Sequence, residues 1–286
     1  MKYGVFVAFN APISTPDVIA NIGKKVEQAG FESIWMGEHV VLFDEMEFPY
    51  PGSKDGKIPM PEGGGMLDTV ALIGYMAANT EKLRFGTGIT LVPQRNPVYT
   101  AKEFATLDWL SQGRIDFGVG VGWCKEEVLN CGYTWQDRGK RCDEYLQVIE
   151  ALWTQDVASF SGEHYSLTDC RMGPKPIQQP HIPMIIGGHS KAGLRRAARF
   201  GAGWYGFSLS PKMTRGLLAN LDQELEKQGR SRADFEIVVT PPYVINKDML
   251  HEFEEMGVDR LIIQLGSPRL ERMESRLEEI GQLIAA

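Results

Sequence analysis

The sequence predicts an α/β protein: a closed (β/α)8 TIM barrel with insertions after the second strand and after the fourth helix. Three observations carry that prediction. Short apolar runs rich in Val, Ile, Phe and Trp alternate eight times with longer segments whose apolar residues recur every three or four positions. The connections are long enough for the helical crossovers that parallel neighbours require. No run reads as a polar edge strand, which favours closure over an open doubly wound sheet. The 286 residues suit one barrel of about 250 residues plus the insertions, so 1–286 is read as a single domain.

The elements follow in order. Strand 3–9 leads to helix 16–29, where Val18, Ile19, Ile22 and Val26 form one stripe. Ser14-Thr15-Pro16-Asp17 supplies a cap, a first-turn proline and an acidic start, and Gly30 is the stop. Strand 33–38 is followed by a stretch rich in Gly, Pro and polar residues, 39–66, and by helix 67–79. Strand 84–91 contains Gly88, a sign of a bulge. Asn96-Pro97 opens helix 98–110, with Tyr99, Phe104, Leu107 and Leu110. Strand 114–121 and helix 139–153 precede the second irregular stretch, 155–182. Strand 183–188, helix 191–200, strand 203–208, helix 211–228 (opened by Ser210-Pro211), strand 235–240, helix 247–256, strand 260–265 and helix 269–285 complete the series. Loops as long as the two irregular stretches are functional lids or carry local structure of their own. The first, at a strand C-terminus, overhangs the reactive mouth of a barrel.

Composition narrows the partners. A 43% hydrophobic, 23% charged chain folds, and a net charge of −7 offers no basic face for nucleic acid. No window of 18 uninterrupted apolar residues is present, so no membrane span is expected. The 4 cysteines lack C-x-x-C and zinc-site spacing, and the first residues lack a signal-peptide pattern. Cytoplasm is the expected location.

In a barrel, chemistry sits at the C-terminal ends of the strands. Those ends carry Phe9, Glu38-His39, Thr87-Gly88-Ile89-Thr90, Gly120-Val121-Gly122-Trp123, Gly187-Gly188-His189-Ser190 and Phe207-Ser208. None is a lysine, which argues against a Schiff-base aldolase. Only Glu38 and His39 offer neighbouring metal ligands, so no metal site is expected. What remains suits a flat conjugated ligand held by packing and a few hydrogen bonds. An imidazole with an ordinary pKa of about 6.5 exchanges protons near neutrality, which makes His39 the catalytic candidate. Its alternative is a histidine that simply bonds a loop carbonyl. Gly187-Gly188-His189-Ser190 runs into a helix and fits either an anion site or a tight turn. The alternating Gly118, Gly120 and Gly122 fit either a planar ligand or a crowded barrel interior.

These motifs together resemble the luciferase-like monooxygenase superfamily, especially a subgroup of F420-dependent oxidoreductases. The resemblance rests on Glu27-Gln28-Ala29-Gly30-Phe31-Glu32-Ser33-Ile34-Trp35, Gly37-Glu38-His39, Phe85-Gly86-Thr87-Gly88-Ile89 with Arg95-Asn96-Pro97, Thr106-Leu107-Asp108, Leu110-Ser111-Gln112-Gly113-Arg114, Gly118 through Trp123, and Ile185-Ile186-Gly187-Gly188. It implies a (β/α)8 barrel and a deazaflavin coenzyme, F420, with FMN as the alternative. His39 becomes the proton donor or acceptor beside the cofactor ring. Thr87, Gly88 and Ile89 become a bulge against its back face, with a non-proline cis bond at Gly88-Ile89. Gly187, Gly188 and Ser190 become the phosphate site, flanking His189, while Gly120 and Gly122 lie along the cofactor. A homodimer through the second and third helices is also implied.

One departure stands out. Some deazaflavin dehydrogenases carry a glutamate after the strand-four glycines, where this chain has Trp123, and Glu126 is the nearest substitute. The leading expectation is hydride transfer between F420 and a small carbonyl or activated C=C substrate, with Phe9, Trp123 and Phe207 shaping the substrate pocket. The alternative is an FMN-dependent monooxygenase fed by a separate reductase. Two other classes remain: a phosphate-binding lyase or isomerase, and a cofactor-free barrel acting as a binding protein. The last would show side chains filling the mouth beside Gly88 and Gly120, with no cavity.

Overall fold

Eight strands pair in parallel and close on themselves in the computed structural model, which describes residues 1–286 except 51, 52, 54, 55, 59, 61, 62, 267, 268 and 286. The strands are β1 (Lys2–Val7), β2 (Ser33–Met36), β3 (Arg84–Thr87), β4 (Ile115–Gly120), β5 (Met184–Gly187), β6 (Gly203–Gly206), β7 (Glu236–Val239) and β8 (Arg260–Gly266). Each pairs with its sequence neighbours. β1 takes β8 on its other side, with Lys2 opposite Arg260, and β5 meets β4, with Met184 opposite Phe117. The ring is therefore complete, and the open-sheet alternative is ruled out.

The helices are α1 (Pro16–Gln28), α2 (Thr69–Ala77), α3 (Pro97–Ser111), α4 (Arg138–Thr154), α5 (Lys191–Phe200), α6 (Pro211–Lys227), α7 (Lys247–Glu255) and α8 (Leu270–Ala285). Several expected start signals act as caps. The side chains of Thr15, Asn96 and Ser210 accept the N–H groups of Val18, of Val98 and Tyr99, and of Met213. Gly30 and Gly257 take positive φ angles of 82° and 74° just past α1 and α7, the left-handed stop that glycine makes without steric cost.

Two cores result. The larger lies between the ring and the helices and takes Val5, Val7 and Phe9 from the β1 segment. The smaller fills the barrel itself with Trp35, Ile185, Tyr205, Val238 and Ile262. Trp35 and Tyr205 stack there with ring centroids 5.1 Å apart. Space for the indole comes from β3, because a Cβ on Gly86 would lie 2.3 Å from its ring.

Below that layer, at the N-terminal ends of the strands, the barrel is plugged by charge. Asp116 of β4 accepts from Arg260 of β8 and from Arg84 of β3, each at 2.5 Å. Arg260 also reaches Glu236 at 2.8 Å. Burial works against charge at Asp116, but Arg260 and Arg84 outweigh it and hold the carboxyl below the ordinary carboxylate range.

The irregular stretches differ in role. In 155–182, the antiparallel strands Ala158–Ser161 and Ser166–Cys170 form a hairpin. Its later residues brace the closed end, where the Gln178 amide donates to Asp108 and to the Ile115 carbonyl, both at 2.7 Å. In 39–66, parts of which fall outside the described residues, Gly65–Met66 pairs antiparallel with Asn10–Ala11. That insertion lies over the opposite, open end. A helical segment the periodicity did not predict, Lys125–Asn130, follows β4.

Candidate active site

At the C-terminal end of the strands the barrel opens into a cavity of about 540 Å³. Phe6 and Ala8 line it from β1 and the residues beyond, and Gly37, Glu38 and His39 from the end of β2. The insertion contributes Tyr50, Ile58, Met60 and Met66; Gly88, Ile89 and Leu91 follow β3; Val121, Gly122 and Trp123 follow β4. Gly187, Gly188 and His189 come from the end of β5, and Tyr205, Phe207, Ser208 and Leu209 from β6. The lining is largely apolar with polar groups at two places, as in sites that bind flat organic ligands.

The first polar place is His39. Its Nδ1 lies 3.0 Å from Oε2 of Glu127, a side chain only 1% exposed. The other oxygen of Glu127 accepts the Val40 N–H at 2.6 Å and the Val41 N–H at 3.5 Å. Trp123 meets the imidazole edge-on at 5.6 Å, and Tyr50 packs on Trp123 at 5.4 Å. Burial pushes the Tyr50 hydroxyl upward, so it stays a neutral hydrogen-bonding group.

Glu38 does not serve His39. Its carboxylate takes Arg95 and, at 2.6 Å, the Leu91 N–H. Burial pushes the Glu38 carboxyl up against the pull of Arg95. Burial likewise opposes the Arg95 charge, but Glu38 and Glu103 outweigh it and raise the guanidinium. The pair therefore ties the end of β2 to the segment after β3.

The second polar place is His189. Its Nε2 accepts the Phe207 N–H at 3.2 Å, and burial pushes the imidazole below its ordinary range. Nearby, the Trp204 indole donates to the Gly188 carbonyl at 2.8 Å, and Gly188 holds a φ of 126° that side-chain-bearing residues rarely adopt.

The bulge in β3 is present, with a cis peptide at Gly88–Ile89. It splits the expected strand 84–91 into β3 and a short piece, Thr90–Leu91. Of the residues singled out in the sequence, His39, Gly88, Ile89, Gly122, Trp123, Gly187, Gly188, His189 and Phe207 meet at the cavity. Four others do not line it. Thr87 is fully buried behind the wall, where its hydroxyl donates to the Gly118 carbonyl at 2.7 Å. Gly120 is covered by Ile89, whose Cδ1 occupies the space a Cβ would need. Ser190 caps α5 by accepting the Gly193 N–H at 3.1 Å.

Phe9 is the fourth, 1% exposed and packed in the helix-facing core. The reason is strand parity: Phe6 and Ala8 face the cavity, so Val5, Val7 and Phe9 face the helices. The mouth beside Gly120 is thus filled by Ile89, yet the cavity remains open.

Glu127 is the residue the sequence reading missed. Glu126, the substitute considered for the glutamate of the deazaflavin dehydrogenases, instead accepts the Glu47 N–H at 2.8 Å, a bond that holds its carboxyl low. A usable signal existed. Cys124, Val128 and Cys131 recur at helical spacing, and Glu127 falls on that inward stripe while Glu126 does not. Among the described residues, no group of three His, Cys, Asp or Glu side chains is placed to hold a metal ion, and no helix is long and apolar enough to cross a membrane.

An uncharacterized Mycobacterium tuberculosis protein is 31% identical over 247 residues, covering 86% of this chain and 84% of that one. F420-dependent glucose-6-phosphate dehydrogenase of Microbacterium testaceum is 29% identical, over 78% of this chain and 63% of that protein. FMNH(2)-dependent dimethylsulfone monooxygenase of Pseudomonas putida is 36% identical over 141 residues, 48% of this chain and 38% of that one.

Two solved structures share the fold at 17% identity. An F420-dependent secondary alcohol dehydrogenase in complex with an F420-acetone adduct has a TM-score of 0.81, covering 99% of this chain and 98% of that one. Monooxygenase RslO1 from Streptomyces bottropensis has a TM-score of 0.79, covering 100% and 99%. The model for the luciferase-like monooxygenase family matches residues 1–279. The chain belongs to the luciferase-like monooxygenase family of enzymes.

Proposed function

We propose that this protein transfers a hydride between the deazaflavin coenzyme F420 and a small organic substrate bearing a carbonyl or activated C=C, with His39 handling the accompanying proton. One observation carries the reading: a histidine anchored by a buried carboxylate opens on an apolar cavity beside a backbone bulge. When bound, the deazaflavin supplies or accepts the hydride. The residues fit such a group. Gly88, Gly122, Gly187 and Gly188 leave backbone bare on the cavity wall, and Ile89 backs it with an apolar face. In this reading His189, and beyond it the N-terminal end of α5, take an anionic extension of the coenzyme. Phe6, Trp123, Phe207 and Met213 pack a weakly polar substrate, and Tyr50 from the insertion excludes water.

A second reading, an FMN-dependent monooxygenase fed by a separate reductase, is favoured by the 36% identity to the dimethylsulfone monooxygenase. Parallel titration of the purified protein with F420 and FMN separates the two. Saturable F420 binding supports hydride transfer, and FMN binding alone supports oxygenation. Binding of neither removes the redox reading.

The working unit in this proposal is a homodimer through α2 and α3. Tyr99 is 71% and Leu110 65% exposed, close to one line along α3, and Tyr75 and Trp109 add apolar surface beside them. Leu110→Lys is expected to shift the mass in sedimentation from two chains to one. An unchanged mass, or a monomeric parent protein, sinks the proposal.

A further inference from the structure

We infer that Glu127 is a positioning residue that fixes the tautomer of His39, leaving Nε2 as the atom that exchanges a proton at the cavity. The inference deepens the proposed role of His39 and rests on it for its catalytic consequence, but its physical content stands without any cofactor.

The argument is one of donors and acceptors. A carboxylate accepts hydrogen bonds and donates none. Oε1 of Glu127 is taken by the Val40 and Val41 N–H groups, and Oε2 faces Nδ1 of His39 at 3.0 Å. The neutral imidazole satisfies Oε2 only by carrying its hydrogen on Nδ1, which leaves the lone pair on Nε2. The neighbouring carboxylate, Glu38, does not compete, because it is engaged by Arg95 and the Leu91 N–H. Trp123 meets the ring edge-on, and Tyr50 packs at a tilt on Trp123. One carboxylate thus fixes three consecutive residues, 39–41, from the helical segment Lys125–Asn130 that follows β4.

The isosteric variant Glu127→Gln turns this into a sharp test. A glutamine that still accepts the Val40 N–H through its oxygen presents its NH2 to Nδ1. Two donors cannot face each other, so the ring hydrogen moves to Nε2. The other amide orientation sets the NH2 against the Val40 N–H and is disfavoured for the same reason.

The experiment is nitrogen-15 NMR of histidine-labelled protein at a pH where the ring is neutral. The chain has only 5 histidines, and His39 is assigned by the signal lost in His39→Ala. The parent protein is expected to show the Nδ1–H form and Glu127→Gln the Nε2–H form. In turnover assays with the cofactor that binds, Glu127→Gln is expected to lose about 100-fold in kcat with KM and cofactor Kd within about twofold. Glu127→Asp, which keeps the acceptor, is expected to recover part of the loss. An Nε2–H form in the parent overturns the inference without needing any variant to fold. A switched tautomer with unchanged kcat overturns the proton exchange assigned to Nε2. Failure to bind F420 or FMN overturns the proposed function instead, and leaves the tautomer result standing.

Discussion

His39→Ala is expected to lower turnover by about 10²–10⁴-fold, the usual contribution of a positioned acid or base, while cofactor affinity stays within about threefold. The two effects separate because the groups are separate. The His39 ring stands on the β2 side, whereas Gly187, Gly188 and His189 belong to the β5 side of the cavity. Folding is expected to survive the change, because Glu127 keeps its Val40 and Val41 N–H donors and the ring borders the cavity and belongs to neither core. Steady-state rates combined with a direct cofactor titration check the prediction. Unchanged turnover removes His39 from the mechanism, and a parallel loss of cofactor binding makes it a binding residue instead.

Asp116→Ala has the largest expected effect on stability, at the closed end of the barrel. The carboxylate is 1% exposed and pairs with Arg260, itself 4% exposed, and with Arg84. Deleting it leaves two guanidiniums facing each other, with Glu236 and Glu32 beside Arg260 and Glu32 beside Arg84. Breaking a buried pair by removing one partner costs about 3–5 kcal/mol. The effect depends on pH in a defined direction. Arg260 and Arg84 hold the folded Asp116 below its unfolded value of about 3.9. Its stabilising contribution is therefore fully present above that value and is lost as pH falls through the lower, folded one. Urea titrations at pH 7 and near pH 3 should show the gap between parent and variant shrinking in acid. A gap under about 1 kcal/mol at pH 7, the scale of an exposed pair, sinks the prediction.

Much of the candidate site was legible in the sequence because its residues sit at strand ends, and strand ends are defined by local pattern. His39, Gly88–Ile89, Trp123 and the Gly187–His189 run were placed by finding where apolar runs stop. Phe9 shows the limit of that approach. The run 3–9 looks like one strand, but pairing in β1 ends at Val7, and the parity beyond it turns Ala8 inward and Phe9 outward. Gly120 shows another. Its bare face reads as room for a ligand, but a neighbouring strand's side chain, Ile89, already occupies it.

By itself the sequence determined the number, order and type of the major elements, through periodicities and cap residues that act over a few positions. It also marked the end of the barrel where the chemistry belongs. Only the tertiary structure decided which groups meet across the ring. Glu127 reaches His39 from 88 positions away, and Arg260 reaches Asp116 from 144. The first pairing follows from laying β2 beside β3 and β3 beside β4, together with the phase of the helical segment after β4, and the second from closing β4 against β5 and β8 against β1. A helix turns about 100° per residue, so that phase alone separates Glu127 from Glu126 in the finished fold. Local patterns carry no record of register between distant strands, which is why the two carboxylates that matter most to the site and to the barrel emerged only when the ring was closed.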